Sequence, residues 1–374
     1  MTAAHELTPL AMKLKEQIRR EGPLPVYAYM RACLGDPEHG YYRRRPAIGV
    51  AGDFTTAPEI SQTFGELIGI WAAVAWRAMG APPEVDLIEL GPGRGTMMSD
   101  ALRAARVVPG FLEAARVQLV ESNPLLREVQ RETLAAVAQQ VPISWHEAFT
   151  ADVAGGRPAI VLANEFLDAL PVRQLVFVEN QWRERCVGLD AEDEFLLVPG
   201  ELVELERSPS SEPAQEGDVL EMRPDLVGIS TILAQWAAQP LAALFIDYGH
   251  TETAFGDTLQ AVSGHRYASI FERPGETDLT AHVDFAELRR LCIERGLRFD
   301  GPITQSEFLL GLGLAERATK LMAAARSDEV GLIEAGAHRI ADPLGMGGRF
   351  KAACVRSANV PVLPPFPAAG AKGG

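Results

Sequence analysis

The sequence predicts a Rossmann-like α/β fold: a mostly parallel sheet covered by helices, with a helical N-terminal segment in front and an antiparallel β insertion within. Three observations carry this prediction. Short apolar runs alternate with stretches of helical periodicity from Val85 onward, and one of those runs ends in a glycine-rich turn that feeds a helix. Residues 173–224 instead switch to period-two alternation between polar turns. Continuous apolar strands separated by helices mark a parallel sheet buried on both faces, whereas alternation marks antiparallel strands with one wet face.

Taken in chain order, residues 10–20 have helical apolar spacing and stop at Gly22-Pro23, and a second helix is expected over residues 25–33. Residues 35–58, rich in Gly, Pro and Tyr, read as an ordered loop. Residues 61–79 read as an apolar helix that ends at Gly80. Strands are expected at residues 85–90, 117–121, 159–163, 241–247 and 349–355. Inside the insertion they are expected at 174–179, 183–188 and 194–198, with a mobile loop at 208–213. Residues 1–80 then form an N-terminal cap, 81–172 and 225–356 the sheet core, and 173–224 the insertion. The Pro/Ala/Gly-rich residues 357–374 read as a disordered tail.

Composition excludes several classes of function. Hydrophobic residues make up 47% of the 374 and charged residues 23%, enough apolar material for a sizeable core. The formal net charge is −15, and the longest basic run is Arg43-Arg44-Arg45. Nucleic-acid binding needs a basic footprint to displace counterions, so no nucleic-acid partner is expected. A negative field favours a cationic substrate instead, though only within a screening length of about 8–10 Å. Cys33, Cys186, Cys292 and Cys354 lie far apart with no CxxC pair, so neither a metal site nor a disulfide framework is expected. No apolar run reaches the ~18 residues of a membrane span. The N-terminus has no apolar signal core, and Glu6, Glu16 and Glu21 interrupt any acid-free amphipathic leader. A cytoplasmic location is the expectation from these features.

The most informative segment is Glu89-Leu90-Gly91-Pro92-Gly93-Arg94-Gly95-Thr96. It turns a buried strand sharply into a helix, and glycine lets backbone bend and approach a ligand where a Cβ would intervene. A dinucleotide site wants G-x-G-x-x-G, but Thr96 stands where its last glycine would be. An acid two residues before a GxGxG turn resembles the first motif of S-adenosylmethionine-dependent methyltransferases, in which the turn holds the methionine moiety. Glu121, ending the next strand, has the position and chemistry to accept both ribose hydroxyls. His146-Glu147-Ala148, at the end of a further strand, would face the adenine edge, although a polar strand end needs no ligand.

Four longer stretches carry a resemblance to one family: residues 52–66 (GDFTTAPEISQTFGE), 163–171 (ANEFLDALP), 246–250 (IDYGH) and 275–285 (GETDLTAHVDF). Together they resemble the MidA-like methyltransferases, whose mitochondrial members assist assembly of respiratory complex I. The likeness runs from about Pro23 to about Val355. It implies a seven-stranded class I methyltransferase sheet, S-adenosylmethionine as cofactor, and methylation of a protein arginine. A complex I subunit is the target that the mitochondrial members imply.

Methyl transfer needs a nucleophile held in line and relieved of a proton. An arginine starts as a cation with pKa above ~12, so carboxylates are its natural partners. Glu165, just beyond the strand at 159–163, is the expected guanidinium ligand and acid/base group, with Asp168 three residues on; Asn164 beside it could accept from the substrate or fix the loop. Either acid could instead cap a helix. Glu59 is expected against the cofactor; Thr56 and Glu59 also have capping-box spacing, so both readings stand. His250 is a candidate proton acceptor or a structural loop residue. The site expectation therefore names Glu165, Asp168 and His250 for catalysis. For the cofactor it names Glu59, Glu89, Gly91, Gly93, Gly95, Thr96, Glu121, Glu147 and Asn164. Two rival readings are a small-molecule O- or N-methyltransferase and an assembly factor without chemistry.

Overall fold

In a computed structural model of the chain, residues 7–44, 56–205, 212–263 and 266–367 are described. Contacts divide the chain into two compact units. The larger takes in Ile48–Leu167, Gly228–Thr251 and Phe285–Gly374, and the smaller Met1–Ala47, Asp168–Val227 and Glu252–Asp284.

The larger unit is built on strands β1 (Val85–Leu90), β2 (Ala115–Val120), β3 (Ile143–His146), β4 (Ala159–Asn164), β5 (Leu241–His250), β6 (Arg298–Thr304) and β7 (Phe350–Arg356). Across the sheet they run β3-β2-β1-β4-β5-β7-β6. The first four neighbour pairs are parallel, and β7 is antiparallel to both β5 and β6. This is the seven-stranded arrangement that the sequence resemblance implied. All six β1 residues are buried, as continuous apolar strands require. Strand order reverses between β1 and β4, and ligands of open α/β sheets bind in the crevice beyond the strand ends at such a switch point.

Three helices of this unit pack in series, the first on the second and the second on the third. α1 (Gln62–Ala78) is the expected apolar helix, and Gly80 follows it with φ +88°. That left-handed value is where glycine ends helices cheaply. α2 (Thr96–Ala105) begins straight from the glycine turn, with Gly95 at its N-cap. α3 (Pro124–Leu134) has Pro124 in its first turn, and the Asn123 side chain accepts from the Leu125 and Leu126 amides. Trp71, Phe64, Leu102, Leu87, Leu119 and Leu162 join one buried cluster within this unit.

The smaller unit joins the first two helices, Pro9–Glu21 and Val26–Gly35, to the β insertion. Antiparallel strands Leu24–Pro25, Gln181–Leu189, Arg173–Val178 and Val219–Met222 lie side by side, and Phe195–Leu202 pairs with Gln181–Leu189. Leu10, Tyr29, Met30, Val187 and Leu279 share its core. The residues expected as one N-terminal cap thus divide: the first two helices group with the insertion, and α1 groups with the sheet. The insertion strands fall where alternation placed them. The loop expected at 208–213 lies mostly outside the described residues, as does much of the loop at 35–58. A three-stranded sheet, Arg266–Ala268, Gln260–Ser263 and Asp278–Thr280, was not foreseen, because its strands are only three or four residues long.

The tail is a correction. Instead of disorder from Ser357, the chain is packed as far as Pro367: Val360, Leu363 and Phe366 are buried, and Phe366 sits 5.6 Å from the Phe308 ring. Apolar residues three apart supply the burial, and the prolines between them lower the entropy that ordering must overcome.

Candidate functional site

Strand register builds the site. Glu89 pairs with Leu119 on one side and Leu162 on the other, and Asn164 pairs with Ile246. Paired residues share a face and side chains alternate, so Glu89, Glu121, Asn164, Tyr248 and His250 all belong to one face of the sheet. Lower on that face stand Leu87, Leu119, Leu162, Leu244 and Ile246, all in the buried cluster. Each strand therefore changes from apolar to polar as it reaches its carboxyl end.

The glycine turn closes this edge. Gly91, Gly93 and Gly95 have φ of +62°, +55° and +81°, values costly for any side chain. A Cβ on Gly91 would also stand 3.0 Å from the Phe166 ring. Glu89 is fully buried, and burial pushes its carboxyl up to about 8. Its Oε2 accepts no hydrogen bond among the described residues, and neither does the buried Oδ1 of Asn164. Two buried oxygens without donors at a switch point call for a donor from outside, since an unsatisfied buried acceptor costs about 1–3 kcal/mol. A methionine-type ammonium supplies such donors and the sulfonium adds positive charge, so the residues present fit S-adenosylmethionine.

Glu121 keeps acceptor capacity while being held. Its Oε1 takes the Asn123 amide at 2.7 Å and its Oε2 the Gln130 side chain at 3.2 Å. Burial lifts its carboxyl above the usual range, while Asn123, Gln130 and Arg127 pull the other way. Carboxylate oxygens have two lone pairs each, so these bonds leave room for ribose hydroxyls. His146 bonds Gln118 at 2.8 Å, and Glu147 is exposed just past β3.

Glu59 settles between its two readings in an unexpected way. Thr56 makes no side-chain cap bond, and Glu59 Oε1 instead accepts from Thr96 Oγ1 at 2.5 Å. The segment Ala57–Ile60 is thereby tied to the start of α2. Glu165 ties the same segment from the other side: its Oε1 accepts from the Ala57 amide at 3.2 Å and from Asn164 Nδ2 at 3.1 Å. That second bond fixes the Asn164 amide with Oδ1 turned the other way.

Glu165 has φ +50°, a strained value for a residue with a side chain. The strain is held by its amide on Ile246 O at 2.9 Å and by Asp247, whose Oδ2 accepts from the Phe166 and Leu167 amides at 3.2 and 2.9 Å. His250 ends β5, half-buried. Asp168 is placed in the smaller unit, buried, its carbonyl held by the Ala281 amide at 3.1 Å and by Arg223 at 3.3 Å. Sequence reading missed Gln130 and Phe166. Gln130 had a signal, as a polar residue midway between Leu126 and Leu134 on the buried stripe of α3; Phe166 had none.

Comparison with known proteins agrees with this geometry. Residues 67–303 match the model of a family of S-adenosyl-L-methionine-dependent methyltransferases. The chain is 36% identical to the mitochondrial protein arginine methyltransferase NDUFAF7 homolog of Drosophila melanogaster, over 91% of this chain and 83% of that one. It is 34% identical to protein arginine methyltransferase NDUFAF7 of Homo sapiens, also mitochondrial, over 93% and 83%. The crystal structure of a Burkholderia thailandensis superfamily member bound to S-adenosyl-homocysteine matches with TM-score 0.81 and 27% identity, covering 95% of this chain and 93% of that one. The cytoplasmic expectation is overturned here, because these curated relatives are mitochondrial. Glu16 and Glu21, which argued against a leader, lie in the folded helix Pro9–Glu21 and carry no information on targeting.

Proposed function

Because the chain belongs to this family of S-adenosyl-L-methionine-dependent methyltransferases, we propose that it methylates an arginine side chain of a partner protein. The observation that carries the reading is its likeness, over nine-tenths of its length, to relatives named as protein arginine methyltransferases. The acidic strand edge supports it, since a guanidinium is best held by carboxylates.

In this reading the turn Gly91–Gly95 holds the methionine part of the cofactor, Glu89 receives its cationic end, and Glu121 accepts the ribose hydroxyls. Glu59 and Thr96, bonded to each other, fasten the segment Ala57–Ile60 beside the turn. Glu147 lies at the adenine end. The bound cofactor supplies an electrophilic methyl group on a sulfonium sulfur. Glu165 pairs with the incoming guanidinium while Ala57 and Asn164 keep its side chain in place. The guanidinium nitrogen gives up a proton as it gains the methyl group, and Glu165 or His250 takes it. The target follows the mitochondrial members of the family: a respiratory complex I subunit.

Glu165→Gln tests this chemistry. It should cut turnover by about 100-fold or more and leave the cofactor dissociation constant within about two-fold of wild type, as read by calorimetry. Wild-type turnover in that variant would remove Glu165 from the mechanism.

A further inference from the structure

We infer that Gln130 locks the glycine turn and the ribose-side carboxylate into a single cofactor cradle, a positioning residue that sets affinity for S-adenosylmethionine without taking part in methyl transfer. The inference rests on the cofactor role proposed for the β1 edge.

Gln130 is 0% exposed on α3, four residues from Leu126 and four from Leu134, both buried. Helical spacing puts all three on one stripe, where a third apolar residue would pack without cost. An amide there loses its water and needs partners for its hydrogens and oxygen. It has them. Nε2 donates to Gly93 O at 2.8 Å and to Glu121 Oε2 at 3.2 Å, and Oε1 accepts from the Trp145 indole at 3.0 Å.

The orientation of this amide follows from chemistry. An indole N–H only donates, so the atom facing Trp145 must be the oxygen; the NH2 then faces a carbonyl and a carboxylate, which only accept. A flipped amide would set like against like at all three contacts. One side chain thus joins the middle of the turn, the second acid and β3. The α3 backbone rests on the same turn, since a Cβ on Gly95 would stand 3.5 Å from Gln130 Cα.

None of these bonds changes as a methyl group moves. Gln130 therefore contributes equally to ground-state and transition-state complexes, and its loss should appear in KM rather than kcat.

Gln130→Met keeps the length and removes all three bonds. Titration calorimetry of the full chain should show Kd for both S-adenosylmethionine and S-adenosyl-homocysteine weakened about 10-fold or more, chiefly from the lost bonds to Gly93 and Glu121, the two of the three that touch the cradle. With saturating cofactor, kcat should stay within about three-fold of wild type. Gln130→Glu adds a signature that simple misfolding would not give. Ionised, it opposes Glu121 and cannot donate; protonated, it donates once. The ratio of its Kd to the wild-type value at the same pH should therefore shrink as pH is lowered.

Wild-type Kd in Gln130→Met, a kcat that collapses while KM holds, or a pH-independent ratio in Gln130→Glu would each overturn the inference. Failure of the wild-type chain to bind either ligand would instead overturn the cofactor reading on which it rests.

Discussion

At the scale of single residues, Glu89 holds the most chemical information. A carboxyl pushed up to about 8 by burial, with one oxygen accepting nothing, is set to ionise when a cation arrives. In the ligand-free protein it is protonated below about pH 8, and a bound cation favours the charged form, so binding must expel a proton. Affinity for S-adenosylmethionine should thus rise with pH up to about 8 and level off above it. Calorimetry at pH 7 in buffers of different ionisation enthalpy should report close to one proton released per cofactor bound. Glu89→Gln should abolish that release and weaken binding by about 10-fold at pH 8. Release unchanged in the variant would assign the proton elsewhere.

The glycines, Glu89 and Glu121 could be read from sequence because strand, acid, turn and helix follow one another without a gap. The partners of Gln130 and Phe166 could not be, because Gly93 and Gly91 lie 37 and 75 positions away; the polar break in the apolar stripe of α3 marks Gln130 as unusual without saying what it bonds.

At the scale of elements, the segment after β4 depends on one acid from β5. Asp247 takes the amides of Phe166 and Leu167 on one oxygen and of Tyr248 on the other, and Glu165 keeps its strained backbone between these fixed points. Asp247→Ala would leave buried amides without acceptors, at about 1–3 kcal/mol each. It should lower unfolding stability by about 3 kcal/mol or more as a shift in urea midpoint with unchanged slope. Asp247→Asn, which keeps one acceptor oxygen, should lose less. Equal stability of Asp247→Ala and wild type would show that the segment is held by other means. The central strands were legible because burial on both faces writes an uninterrupted apolar run. β6 was not: Gly301-Pro302 and a register shift between Asp300 and Ile303 break its alternation.

At the scale of the whole molecule, the sequence pattern specified layers better than it specified how the chain shares residues between units. The sheet order follows from alternation of strands and helices together with right-handed crossovers. The grouping of the first two helices with the insertion depends on contacts such as Tyr29 with Phe195, whose rings lie 6.0 Å apart across 166 residues of sequence. No local periodicity records such a contact.

The proposed activity is also a property of the whole molecule, because a protein substrate meets its surface as well as its strand edge. A methylarginine survey by mass spectrometry of cells with and without this protein tests it most directly. The account predicts that a defined arginine in one protein, a respiratory complex I subunit, loses its methyl mark and regains it with wild-type chain but not with Glu165→Gln. An unchanged set of methylarginines, with a small metabolite losing its methyl group instead, would contradict it.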